Sequence, residues 1–136
     1  MTEKTKYAIS LRITHPEMDA SLFEGELGLS PESFYTAGDP KVARNGREIG
    51  GFRKQSFWCH AYSIKEDAQL EASLDEVVMG LERNREFLKR ITGSRGHAEL
   101  FIGWFSPINS GFVLASRTLR HLADLDVDLS FDIYPS

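Results

Sequence analysis

Hydrophobic and polar positions alternate strictly near both ends of this 136-residue chain. Tyr7, Ile9, Leu11 and Ile13 alternate with Ala8, Ser10, Arg12 and Thr14. Val127, Leu129, Phe131 and Ile133 alternate with Asp128, Ser130, Asp132 and Tyr134. Successive side chains of a strand point to opposite faces, so each run predicts a strand with one buried and one wet face. Two such strands predict one sheet, covered by helices on one side and open on the other.

Between them the period changes several times. After the turn His15-Pro16-Glu17-Met18, Asp19 stands as an N-cap, and Leu22, Phe23 and Leu27 supply the apolar side of a short helix. Gly28 closes it as a left-handed C-cap, with Leu29 placed to pack back, and Pro31 forbids continuation. From about Ser30 to Gly51 no periodicity is visible, which predicts a long loop pinned to the body by Phe34 and Tyr35. Loops of that length tend to be functional or mobile. Phe52 to Ile64 reads as strand, with Trp58, His60, Tyr62 and Ile64 on one face and Phe57, Cys59, Ala61 and Ser63 on the other. Both faces are apolar enough to leave open which is inward. An exposed stretch, Lys65 to Ala72, follows.

Ser73-Leu74-Asp75-Glu76 matches a capping box and predicts the start of the clearest helix. Its buried stripe is Leu74, Val77, Val78, Leu81, Leu88 and Ile91, and Gly93 ends it. His97 to Phe105 is a further strand, Ala98, Leu100, Ile102 and Trp104 alternating with Glu99, Phe101, Gly103 and Phe105. Ser106 to Gly111 turns the chain, and Phe112-Val113-Leu114 reads as a hairpin partner. Ser116 caps a short helix with Leu119, Leu122, Ala123 and Leu125 inward. The order predicts an α+β sandwich of the split β-α-β, ferredoxin-like kind: a mostly antiparallel sheet of about five strands with helices on one face, in one domain over 1–136.

Composition narrows the setting. A domain of this length buries roughly two-thirds of the surface its unfolded chain exposes, enough for a core without staples. The single cysteine, Cys59, excludes an internal disulfide and suits a reducing compartment. No run approaches the roughly 18 apolar residues of a membrane helix, and Met1-Thr2-Glu3-Lys4-Thr5-Lys6 lacks the apolar stretch of a signal peptide. A cytoplasmic protein is the expectation. Net charge is −4, yet Lys41, Arg44, Arg47, Arg53 and Lys54 face only Glu48 in their segment, so +4 sits there and −8 on the rest. An acidic body argues against nucleic-acid binding, which needs a wide basic footprint.

Several segments together resemble the bacterial domain-of-unknown-function 4279 family: Leu27-Gly28-Leu29-Ser30-Pro31, then Gly38-Asp39-Pro40, Trp58 with Ser63 downstream, the capped central helix, and the ending Leu129-Ser130-Phe131-Asp132-Ile133-Tyr134. The likeness spans nearly the whole chain. It implies a fold and a cytoplasmic setting, and it supplies no catalytic residues.

Four sets of residues carry candidate chemistry. Arg44, Arg47, Arg53 and Lys54, among Gly46, Gly50 and Gly51, form a candidate anion clamp, since arginine forks match phosphate and carboxylate and glycines let backbone amides approach. A solvated loop is the ordinary alternative for exposed cations. Arg12, Asp128 and Asp132 point to the open sheet face, where Arg12 can pair with one aspartate if the first and last strands are neighbours. The two aspartates lie about 13 Å apart along a strand, too far for a paired-carboxylate hydrolase. Trp58, Tyr62, Trp104 and Phe105 are core or a partner patch, with Gly103 relieving crowding beside Trp104. His15, His60, His97 and His121 show no metal-ligand spacing, and no nucleophile elbow is present, so no metal, cofactor or enzyme signature stands out.

Two functions remain open. One is a non-catalytic binding module that recognises another protein, of immunity or regulatory type, with a homodimer also compatible. The other is a small enzyme or binding protein for an anionic metabolite held by the basic loop 41–54.

Overall fold

The first strand, β1 (Lys6–His15), runs through the middle of the sheet, where its alternation places Ile9, Leu11 and Ile13 in the core. The computed structural model describes residues 5–134, so most of the polar start read above as lacking a signal peptide lies outside the described residues. After a 3-10 turn at Ala20–Leu22 come α1 (Phe23–Leu27), β2 (Ser33–Tyr35), β3 (Pro40–Val42), β4 (Glu48–Phe52) and β5 (Ser56–Ala61). Then follow α2 (Leu70–Glu82), α3 (Arg85–Gly93), β6 (His97–Phe105), α4 (Ser116–Asp124) and β7 (Val127–Tyr134). No helix among the described residues is long and apolar enough to cross a membrane.

Five strands form the main sheet in the order β2-β5-β1-β6-β7, and β3 and β4 form a separate two-stranded sheet. All neighbours in the main sheet are antiparallel except β6 and β7. Both ends of the described chain thus lie in one sheet, and the mixed α+β architecture with helices on one face is as the pattern predicts. The ferredoxin-like arrangement is not established by this order. β5 and β6 flank β1, while β7 sits parallel and directly beside β6, the strand to which α4 connects it. All four helices place their buried side chains, among them Phe23, Leu74, Leu81, Leu88 and Leu122, in the one core on the inner face. Trp58 is inward and fully buried there.

Several elements differ from the sequence expectations, each for a physical reason. Asp19 caps the 3-10 turn through Ser21 N, and Gly28 ends α1 in the left-handed region, as predicted. The predicted long loop holds β2, which adds three residues to the sheet edge, and the β3–β4 hairpin, whose two faces are both wet and so show no alternation. The predicted strand from Phe52 to Ile64 is correspondingly split, Phe52 ending β4. Leu70 extends the buried stripe back by one turn and draws the start of α2 to Gln69. Ser73 is therefore no cap: it is buried inside α2, and its Oγ lies 2.7 Å from the Tyr7 hydroxyl. The predicted single helix breaks at Arg83-Asn84, where the Asn84 side chain donates to the Leu27 carbonyl. Phe112-Val113-Leu114 is not a strand, because Phe112 instead packs between Trp104 and Phe131 over the end of the core. Ala115 rather than Ser116 precedes α4, and Leu119 and Ala123 face outward while Leu122 and Leu125 are buried.

His15 shows how polar groups fix the edge of this core. It is buried at the end of β1, where its Nδ1 accepts from the backbone N–H of Glu17 and Met18, and its Nε2 lies 2.8 Å from Ser94 Oγ. An accepting Nδ1 leaves the proton on Nε2, which donates to Ser94. Gly96 is pressed against the same corner, where an added Cβ would stand 2.6 Å from the Ile91 carbonyl oxygen and 2.8 Å from the His15 ring. At Gly93 an added Cβ meets nothing within 4 Å. Gly96→Ala is therefore expected to cost more than about 1 kcal/mol, because backbone must move, whereas Gly93→Ala at the end of α3 leaves stability unchanged or raises it. Urea denaturation followed by circular dichroism checks both, and equal losses would contradict this packing.

Candidate functional site

The sheet face opposite the helices carries the second strand register, and it is aromatic rather than merely polar. Tyr35 on β2 stacks on Phe57 of β5, with centroids 5.6 Å apart, and Phe105 on β6 stacks on Tyr134 of β7 at 4.5 Å and 6°. Arg12 lies over the Phe101 ring at 3.7 Å, and Arg53 over the Tyr35 ring at 4.0 Å. Guanidinium groups stacked on ring faces are held without a carboxylate and keep outward donors free. Gly103 belongs to this face, where a Cβ would stand 3.2 Å from the Phe105 ring. It relieves crowding for Phe105, not for Trp104, which turns inward against Phe112.

The three open-face residues chosen from sequence do not converge. β6 separates β1 from β7, so Arg12 cannot reach an aspartate across a shared ladder. Opposite Arg12 stand Glu99 and Cys59. Asp128 instead meets His97 Nε2 at 2.7 Å, and Asp132 accepts from the Tyr134 hydroxyl. That hydrogen bond is the main reason the Tyr134 phenol holds its proton above the ordinary range, with burial and the Asp132 charge adding to it. Cys59 is buried on the same face, and burial first, then the charge of Glu32, pushes its thiol up, which leaves less thiolate for nucleophilic work.

The basic segment forms an arm. β3 and β4 pair with each other alone, and their base is closed where Arg53 N donates to Asp39 O and Gly38 N to Arg53 O. Consecutive positive φ angles at Gly50 and Gly51 belong to a twist that side-chain-bearing residues resist. Arg44 and Arg47 stand at the turn, exposed. Arg53 and Lys54 follow at the base, and the Arg53 guanidinium reaches back along the arm to donate to the Val42 carbonyl at 3.4 Å. Arg44 and Arg47 are thus solvent-exposed at the turn, while Arg53 is held against the Tyr35 ring and the Val42 carbonyl. What the charge pattern did not reveal is the apolar content: Ile49 and Phe52 are 61% and 67% exposed, and Val42 joins them. Their placement beside Gly50-Gly51, without alternation, was the available signal. Among the described residues, no group of three or more His, Cys, Asp or Glu is placed to hold a metal ion.

A family model described as "Domain of unknown function (DUF4279)" matches residues 4–136. No curated protein and no solved structure matches the chain.

The Tyr134–Asp132 pair makes the open face testable. Tyr134 is expected to ionise above its ordinary value of 10, and Asp132→Asn, which removes the charge and weakens the acceptor, to bring it down toward that value. Tyrosinate absorbance across the alkaline range, with ring resonances assigned by NMR, measures both. A Tyr134 titration unmoved by the substitution would contradict the pairing.

Proposed function

We propose that this chain, which belongs to the DUF4279 family, is a non-catalytic, cytoplasmic binding module whose β3–β4 arm and adjoining aromatic sheet face recognise another protein. The observation that carries this is the arm itself. A two-stranded hairpin on its own is at best marginally stable in water, and this one leaves Ile49, Phe52 and Val42 in solvent instead of folding them onto the core. Apolar side chains held out on a basic scaffold gain their burial from a second surface. The arm's +4 charge selects an acidic partner and speeds its approach, while Ile49 and Phe52 supply the desolvated contact. Arg53 on Tyr35 links the arm to the sheet face, where Phe57, Phe101, Phe105 and Tyr134 extend the same surface. Arginine and aromatic residues are the types enriched where protein interfaces carry their energy. A regulatory or immunity-type role, in which a small protein occupies another's surface, fits this chemistry. A clamp for an anionic metabolite in segment 41–54 is favoured less, because Arg53 is taken up by the Tyr35 ring and the Val42 carbonyl while Arg44 and Arg47 stand exposed at the turn.

The test is capture of proteins from the native host by the intact chain, set beside a variant carrying Ile49→Asp and Phe52→Asp. Both positions are exposed, so the variant is expected to keep its melting temperature and to lose the captured acidic protein. The same protein captured equally by both forms, or none captured by either, overturns the assignment. Light scattering distinguishes a self-associating arm, for which the wild type alone would be a dimer.

A further inference from the structure

Away from the arm, a cavity of about 390 Å³ lies where α1, the segment after β5 and α2 meet. Its walls are the end of α1 (Leu27, Leu29), the segment after β5 (Tyr62, Ile64) and one side of α2 (Val77, Leu81). Small residues keep it open: Ala68, Ala72, Ser73 and Gly80 face it where larger side chains would close the gap. Polar staples at its margins hold the walls. The Tyr7 hydroxyl donates to Ala68 O at 2.7 Å and meets Ser73 Oγ, tying the segment after β5 to α2. Asn84 Nδ2 donates to Leu27 O, tying α1 to the α2–α3 junction. The space is therefore preformed, and its size is that of ordinary small-molecule pockets.

The lining has a consistent chemistry. Most of it is apolar, and the Tyr62 side chain forms part of it. Burial holds that phenol in its neutral form, as a donor. Lys65 and Arg83 are the two cations of the lining, and neither has an ion-pair partner among the described residues; Glu76 is its one carboxylate. The local balance is thus positive on a chain that is acidic overall.

We propose that this cavity binds a small amphipathic carboxylate, with its apolar body against Leu29, Tyr62 and Val77 and its head group answered by Lys65 and Arg83. The volume admits about a dozen water-sized groups, which suits an unbranched chain of medium length. The site is separate from the arm, so it stands whether or not the arm binds a protein.

Octanoate is the probe, with 1-octanol as its uncharged counterpart, each titrated calorimetrically into the full chain. Octanoate is expected to bind saturably at one site and to shift amide resonances within residues 62–84. Octanol is expected to bind about tenfold more weakly, the size of one lost charge-assisted hydrogen bond. Lys65→Glu with Arg83→Glu should erase that preference. Gly80→Leu, where an added Cβ meets nothing within 4 Å, and Ala72→Phe should each abolish binding of both probes while leaving the circular dichroism spectrum intact. No saturable binding by the wild type, equal affinity for octanol, or binding that survives both filling variants in folded protein would overturn the proposal.

Discussion

Everything in this fold depends on the pairing of β1 along both of its edges. β5 holds one side from Ser10 to His15 and β6 the other from Lys6 to Thr14. A strand hydrogen-bonded on both sides has no free edge, and its register determines which side chains every other element must cover. Ile9, Leu11 and Ile13 are buried because of it, and the helices gather on that side. The opposite register, Ser10 and Arg12 among them, is consigned to the open face. A slip of one residue would exchange the two sets.

From that constraint follows a division of the molecule into a part that maintains itself and a part that does not. The core cluster joins the four helices to the inner sheet face, and ion pairs such as Arg85 with Asp124 only trim its surface. Exposed pairs of that kind contribute little. The arm receives none of this support, because its strands bond to each other and its apolar residues meet solvent. Its shape rests on backbone twist at two glycines and on the closure at Arg53. The proposed recognition role rests on that element because its composition is costly to leave unpartnered.

Legibility in the sequence followed how far each signal had to reach. The inward register of β1 and β6 could be read residue by residue, since period-two alternation is a property of the strand itself. β7 was read correctly as a strand, yet at the sheet edge its Ile133 is exposed although it shares the apolar set of Val127. The Ser73 capping box was a sound local match that lost to Leu70, whose burial drew the helix start back by a turn. Phe112-Val113-Leu114 was apolar enough for a strand but serves as a cover, a difference that a three-residue run cannot express. The candidate site was less legible still. Its cations were visible as a charge cluster, whereas Ile49, Phe52 and the stacked rings became a surface only through their exposure.

By itself the sequence determined the periodicities, and through them the α+β class, the inner face of the sheet and most of the core. Those are consequences of neighbours in the chain, two to four residues apart, competing for water or burial. Tertiary structure alone decided that β6 lies between β1 and β7, that Arg12 rests on Phe101 rather than beside an aspartate, and that segment 41–54 stands out as an arm. Strand order and exposure are set by which distant surfaces meet, and no local pattern encodes that choice.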